Sequence, residues 1–219
     1  MNSKNEILSR LRQKDLPDLK DNLSHWEDKD IFSDFPVPSV NLIDLFKHQL
    51  DKLSGELYVV NNKKEAVKTL QNLLEKVEPN QCKTHKFPLI EELIKLSPEM
   101  KSYLTYIDDI EISSPEYAKF EVGISSADFL IARTGSILIR ALTAGGRRLS
   151  VLPPIHIVIA EEKQMVASLD TALHFLNLNQ DDWGYATIIS GPSRTADIEK
   201  QLVLGAHGPK RLIVILLKN

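Results

Sequence analysis

Two short aliphatic runs most restrict what this chain can become: Ile155-His156-Ile157-Val158-Ile159-Ala160 and Leu212-Ile213-Val214-Ile215-Leu216-Leu217. Each is too short for a typical globular helix and has no regular polar face. Runs of this kind read as strands covered on both sides. The covering layers are visible upstream. Ile43, Phe46, Leu50 and Leu53 follow helical spacing over Asn41 to Leu53, and Gly55 stops the pattern. Glu56 to Val60 reads as a strand. Asn62 suits an N-cap for a helix carrying Ala66, Val67, Leu70, Leu73, Leu74 and Val77. Pro88 to Leu96 is helical in pattern, and Ser97-Pro98-Glu99 starts a further turn. This alternation predicts an α/β fold, a mixed or parallel sheet flanked by helices.

A chain of 219 residues, 42% hydrophobic and 26% charged, has core enough to fold without disulfides or metal. Its one cysteine, Cys82, excludes an internal disulfide and a cysteine-ligated iron–sulfur cluster built from these residues alone. Cys82 and His85 have C-x-x-H spacing, but without a second ligand pair they do not make a metal site. A net charge of −3, a pI near 6.1 and no basic run argue against a nucleic-acid footprint or a polybasic membrane anchor. The charged N-terminus lacks the apolar stretch of a secretory signal, and no run is long enough to span a bilayer, so a cytoplasmic location is expected. Residues 1–38 are expected to form a short helix and an irregular arm, with Trp26, Ile31, Phe32 and Phe35 as its apolar exceptions. Residues 39–219 then form the α/β domain. Asp108, Asp109 and Glu111 read as a solvated acidic surface.

Glycine-punctuated polar tips concentrate in the second half. Phe129 to Ala132 and Ile137 to Ile139 flank Arg133-Thr134-Gly135-Ser136, a hairpin signal. That tip is either a hydroxyl and amide cradle or a turn that needs Gly135 for its backbone. Val166, Leu169, Leu173 and Leu176 mark a helix, and Thr187-Ile188-Ile189 a strand. Ser190-Gly191-Pro192-Ser193-Arg194-Thr195-Ala196-Asp197-Ile198-Glu199 then reads as a loop entering a helix, with Ser193 at the N-cap and Asp197 in the first turns. Unpaired N–H groups, the Ser193 and Thr195 hydroxyls and the Arg194 guanidinium would suit a carboxylate or phosphate there. Ordinary capping accounts for the same residues. His156 opens a buried strand, as a general acid/base or as a core histidine. His207 lies in Gly205-Ala206-His207-Gly208-Pro209, where glycines allow close backbone approach. The phosphate-loop, dinucleotide-fingerprint, zinc-protease and nucleophile-elbow motifs are all missing from the sequence.

Three strings carry a resemblance: Ala127 to Ile139, Leu149 to Ala160, and Ile189 to Leu217. From about Gly123 onward the chain resembles the LUD domain, and more narrowly the lactate utilisation protein C family. The runs Gly-Pro-Ser-Arg-Thr-Ala-Asp-Ile-Glu and Gly-x-His-Gly-Pro carry most of that likeness. One departure is Arg133, where the family often has an acidic residue. The resemblance implies a fold like the NagB/RpiA/CoA-transferase group. It also implies a place in a cytosolic three-protein system that oxidises L-lactate to pyruvate, with the iron–sulfur clusters on the partner proteins and no cofactor on this chain alone.

Taken with the residues, this predicts a small anion at the carboxyl edge of the sheet. Ser193, Arg194 and Thr195 would hold it, with Gly191 and Asp197 in the same loop. His156 and His207 would move or orient a proton, and Thr134, Gly135 and Ser136 would close the pocket. Two other readings stay open: a non-catalytic interaction subunit, and a cyclo-ligase-like or sugar-phosphate isomerase-like enzyme on the same fold.

Overall fold

The structure is a computed structural model that describes residues 41–107, 116, 119–140, 148–178, 185–196, 202–204 and 208–218; side chains are described for all of these except 177, 178, 194–196 and 202–204. The expected N-terminal helix and arm, Asp108, Asp109, Glu111, Asp197 and His207 lie outside the described residues.

Helix α1 (Leu42–Lys52) opens on Asn41, whose Oδ1 accepts the Ile43 N–H at 2.8 Å, and it buries Ile43, Phe46 and Leu50. Strand β1 (Glu56–Val60) leads into α2 (Lys63–Leu74). Asn62 caps that helix by accepting the Glu65 N–H at 3.0 Å, and Glu65 returns an acceptor to the Asn61 N–H. The expected stripe on α2 is buried at Ala66, Val67, Leu70 and Leu74. Strand β2 (Cys82–Thr84), helix α3 (Pro88–Leu96), a 3₁₀ turn (Pro98–Ser102) and β3 (Leu104–Tyr106) follow. Then come β4 (Val122–Ser126), β5 (Phe129–Ile131), β6 (Ser136–Arg140), the single-turn α4 (Arg148–Val151) and β7 (Ile155–Glu161). The chain ends through β8 (Met165–Val166), α5 (Leu169–Leu178), β9 (Ala186–Ile189), β10 (Arg194–Ala196), β11 (Leu202–Leu204) and β12 (Arg211–Leu217). Val166, expected in the α5 helix, belongs to β8, where it pairs with Ile131.

Six strands form one parallel sheet in the order β1-β12-β7-β4-β2-β3. The two aliphatic runs are its centre, β12 beside β7, as their lack of a polar face requires. One face carries Ile157, Ile159, Ile213 and Ile215 against Leu70 and Leu74 of α2 and Ile90 and Leu93 of α3. The other carries Val158, Ala160, Val214 and Leu216 against Phe46 and Leu50 of α1 and Leu130 and Ile137 of a second sheet. That second sheet runs β8-β5-β6-β9, and α5 packs its Ala172 and Leu176 on Ile131 and Leu138. Burying each large aliphatic side chain contributes about 1.5–3 kcal/mol, so two filled faces fix the sheet strongly.

Candidate functional site

The hairpin expected around Gly135 is present: β5 and β6 pair antiparallel, with Ile131 opposite Ser136. Asp128 locks its base, accepting from the Arg140 backbone N–H at 2.6 Å and the Arg140 Nε–H at 2.8 Å. Gly135 has φ +62°, and a Cβ there would lie 2.5 Å from the Leu50 backbone nitrogen. Thr134 is exposed, whereas Ser136 is buried and its hydroxyl sits 2.8 Å from that of Ser190. Gly191, at φ +81°, packs on Leu53, where a Cβ would fall 2.7 Å from the carbonyl oxygen. Both tips thus rest on the last turn of α1. These glycines are required by close backbone packing and by left-handed φ.

The segment after Pro192 departs from expectation. Arg194–Ala196 is not the start of a helix. It is strand β10, paired antiparallel with β11 through Arg194↔Leu204, Thr195↔Val203 and Ala196↔Leu202. The cap-like order of Ser193, Asp197 and Glu199 is a local signal. Leu202-Val203-Leu204 offers a complete backbone ladder to β-branched Thr195, and the tertiary pairing prevails. The Ser193 N–H is not an open donor either: it bonds the Pro209 carbonyl at 2.8 Å. Ser193 Cβ also lies 3.1 Å from where a Cβ on Gly208 would stand. Two of the predicted loops therefore meet at Ser136 and Ser190, and the Gly-Pro pair after His207 meets Ser193. The backbone of Arg194 and Thr195 continues from that junction.

This junction lies at the amino edge of the parallel sheet, not the carboxyl edge. Pro209 stands just before β12, the Lys210 N–H bonds the Pro154 carbonyl just before β7, and Leu53 stands just before β1. Analogy with open α/β sheets predicts the carboxyl edge for these loops, whereas the backbone bonds Ser193 N–H to Pro209 and Lys210 N–H to Pro154 hold them at the opposite end.

His156 is fully buried on β7. Its Nε2 lies 2.9 Å from Ser125 Oγ on the neighbouring β4, and Nδ1 has no hydrogen-bond partner. Burial pushes its pKa down to about 3, so the ring is neutral at physiological pH. Of the two readings for this residue, the geometry is that of a core histidine. Ser125 is the partner the sequence did not flag. Its signal was the alternation in β4, where Val122 and Ile124 face one side and Gly123 and Ser125 the other. Cys82 is buried in β2, and burial pushes its thiol pKa up. Among the described residues no three His, Cys, Asp or Glu side chains gather as a metal site, and no helix is long and apolar enough to cross a membrane.

A six-stranded parallel sheet with a small mixed sheet on one face and glycine-bearing loops at its amino edge defines the class of protein, and the comparisons place it. The family model of the LUD domain matches residues 43–217, and the chain belongs to that family. The resemblance read from Gly123 onward therefore extends over α1 to β12. Lactate utilization protein C of Bacillus pumilus is 35% identical over 108 residues, 48% of this chain and 44% of that protein. Lactate utilization protein C of Deinococcus radiodurans is 32% identical over 111 residues, 50% of this chain and 52% of that protein. The narrower resemblance to lactate utilisation protein C is thereby borne out. The matches span about half the length of these curated relatives. A crystal structure of a DUF162 family protein from D. radiodurans superposes with a TM-score of 0.61 at 19% identity, over 80% of this chain and 96% of that one, and shares the fold.

Proposed function

We propose that this chain is a subunit of an L-lactate utilisation system and holds a small anion, a lactate-like or pyruvate-like carboxylate, at the amino-edge loop junction. The observation that carries this reading is the alignment with relatives named lactate utilization protein C. Oxidising lactate to pyruvate removes two electrons and two protons. With a single buried cysteine, these residues cannot ligate an iron–sulfur cluster through thiolates. The resemblance to the lactate utilisation proteins implies that the electrons pass to iron–sulfur partner proteins, which fits a chain with this one buried cysteine. Arg194, Ser193 and Thr195 are the proposed anion contacts, and His207 the proposed proton-handling group. His156 holds Ser125 from within the core.

The test is deletion of the gene in the source organism with L-lactate as carbon source. Growth is lost and the wild-type gene restores it. Normal growth of the deletion strain overturns the assignment. Arg194→Ala fails to restore growth although its melting temperature stays within about 2 °C of wild type. Restoration by Arg194→Ala favours the second reading, an interaction subunit without chemistry of its own. That reading is supported by the sealed His156 and by the Ser193 N–H already bonded to Pro209.

A further inference from the structure

The carboxyl ends of β1, β12 and β7 surround a hollow of about 520 Å³ that the loop junction does not reach; Lys63, Lys64, Leu96, Glu161, Leu217 and Lys218 line it. The volume falls within the range of small-molecule sites, and the place is where open parallel sheets leave room for ligands. Its charges are unequal. Lys63 is paired with Glu92 outside the lining, and Glu161 with Lys163, so these two wall residues are already neutralised. Lys64 and Lys218 have no ion-pair partner among the described residues. Two ammonium groups are thus left over, one from the first turn of α2 and one from the end of β12. Leu96, the last residue of α3 and 51% exposed, lines the same hollow. Large aliphatic side chains held open in a hollow give an apolar wall.

We infer that this hollow binds an organic phosphate, its dianionic head between Lys64 and Lys218 and its carbon body against Leu96. Ammonium groups act as movable point charges, and two of them match the double charge of a phosphate head better than the single charge of a lone carboxylate. The site is separate from the lactate reading and stands or falls without it.

The experiment is an amide NMR titration of the full chain with ADP as probe. Saturable shifts are expected at Asn62, Lys64, Leu217 and Lys218. Lys64→Gln with Lys218→Gln weakens binding by about tenfold or more. Lys64→Arg with Lys218→Arg retains it, and Lys47→Gln with Lys52→Gln, which removes two exposed lysines of α1 on the other face of the sheet, leaves it unchanged. Each single glutamine variant carries the same test if the pair unfolds. No saturable shift up to about 10 mM ADP, shifts mapping to other strands, or wild-type binding by the glutamine variants overturns the site. L-Lactate in place of ADP should leave these four amides unmoved.

Discussion

At the amino edge of the parallel sheet the chain closes on itself, and at the carboxyl edge it leaves space. The amino edge has Gly135 on Leu50, Gly191 on Leu53, Gly208 on Ser193 and the Ser136–Ser190 hydroxyl contact. The carboxyl edge has a hollow lined by Lys64 and Lys218, which have no ion-pair partner among the described residues. In a sequence, glycine-rich polar tips look like ligand cradles. Here the described ones are occupied by the protein's own backbone. A glycine that receives a neighbour's carbonyl and a glycine that receives a phosphate leave the same trace in a sequence. What separates them is whether the space is already filled.

The strongest way to break this contrast is to fill one of the close contacts. Gly123, the second residue of β4, would place a Cβ 2.1 Å from the Leu149 carbonyl oxygen of α4. That oxygen is backbone and cannot swing aside. Gly123→Ala is expected to cost about 3 kcal/mol, roughly 10 °C in melting temperature for a domain of this size. Lys64→Ala at the open edge is expected to change stability by less than about 0.5 kcal/mol. Thermal unfolding followed by circular dichroism measures both. Equal melting temperatures for the two variants would mean that the two edges are packed alike.

The parts of the fold that were legible are those where one local signal and the tertiary structure agree. The stripe Ile43, Phe46, Leu50 reads as a helix because helical periodicity alone buries it, and the run from Leu212 to Leu217 reads as a covered strand because it has no polar face. Cys82-Lys83-Thr84 and Leu104-Thr105-Tyr106 were not legible as strands. Three residues give no measurable alternation, and the pairing of β2 with β4 and of β3 with β2 is what makes them part of the sheet. The segment at Arg194 is misread because its cap residues and its strand pairing disagree, and the partner of Arg194 stands ten residues away at Leu204. The candidate site was legible as a set of loops but not as a location. Loop composition says what a tip can do, and only connectivity says which edge it reaches.

A second test separates buried polarity from surface chemistry. His156 has a folded-state pKa near 3 against an ordinary value of 6.5, because burial penalises the charged ring. The unfolded chain therefore binds the extra proton first. The stabilisation from keeping this ring neutral is complete above about pH 6.5, and it erodes as pH falls from there towards 3. The slope reaches at most about 1.4 kcal/mol per pH unit from this group. Urea unfolding at pH 7.5, 6 and 5 should show falling stability. His156→Gln, which keeps a hydrogen-bonding group near Ser125, should be less stable at pH 7.5 but flatter in profile. A variant profile parallel to wild type would show that His156 takes up its proton equally in the folded and unfolded chain, and so belongs to an accessible site after all.

The smallest effect sharpens the contrast within one kind of interaction. Arg211, first residue of β12, grips Glu56, first residue of β1, with two bonds: Nε–H to Oε1 at 2.8 Å and Nη2–H to Oε2 at 2.9 Å. The pair clamps the amino ends of neighbouring strands, and its planar fork loses less side-chain freedom per bond than a lysine pair would. At the open edge, Lys63 and Glu92 tie α2 to α3 by a single contact between side chains nearly half exposed. Both pairs are wet, so screening keeps them small. Glu56→Gln is expected to cost about 0.5–1 kcal/mol, or roughly 1–4 °C, and Glu92→Gln less than about 0.5 kcal/mol. The difference between them should shrink in 1 M salt, where the screening length falls to about 3 Å. A Glu92→Gln cost equal to that of Glu56→Gln in low salt would show that the carboxyl edge is held by its ion pairs as firmly as the amino edge is held by its clamp.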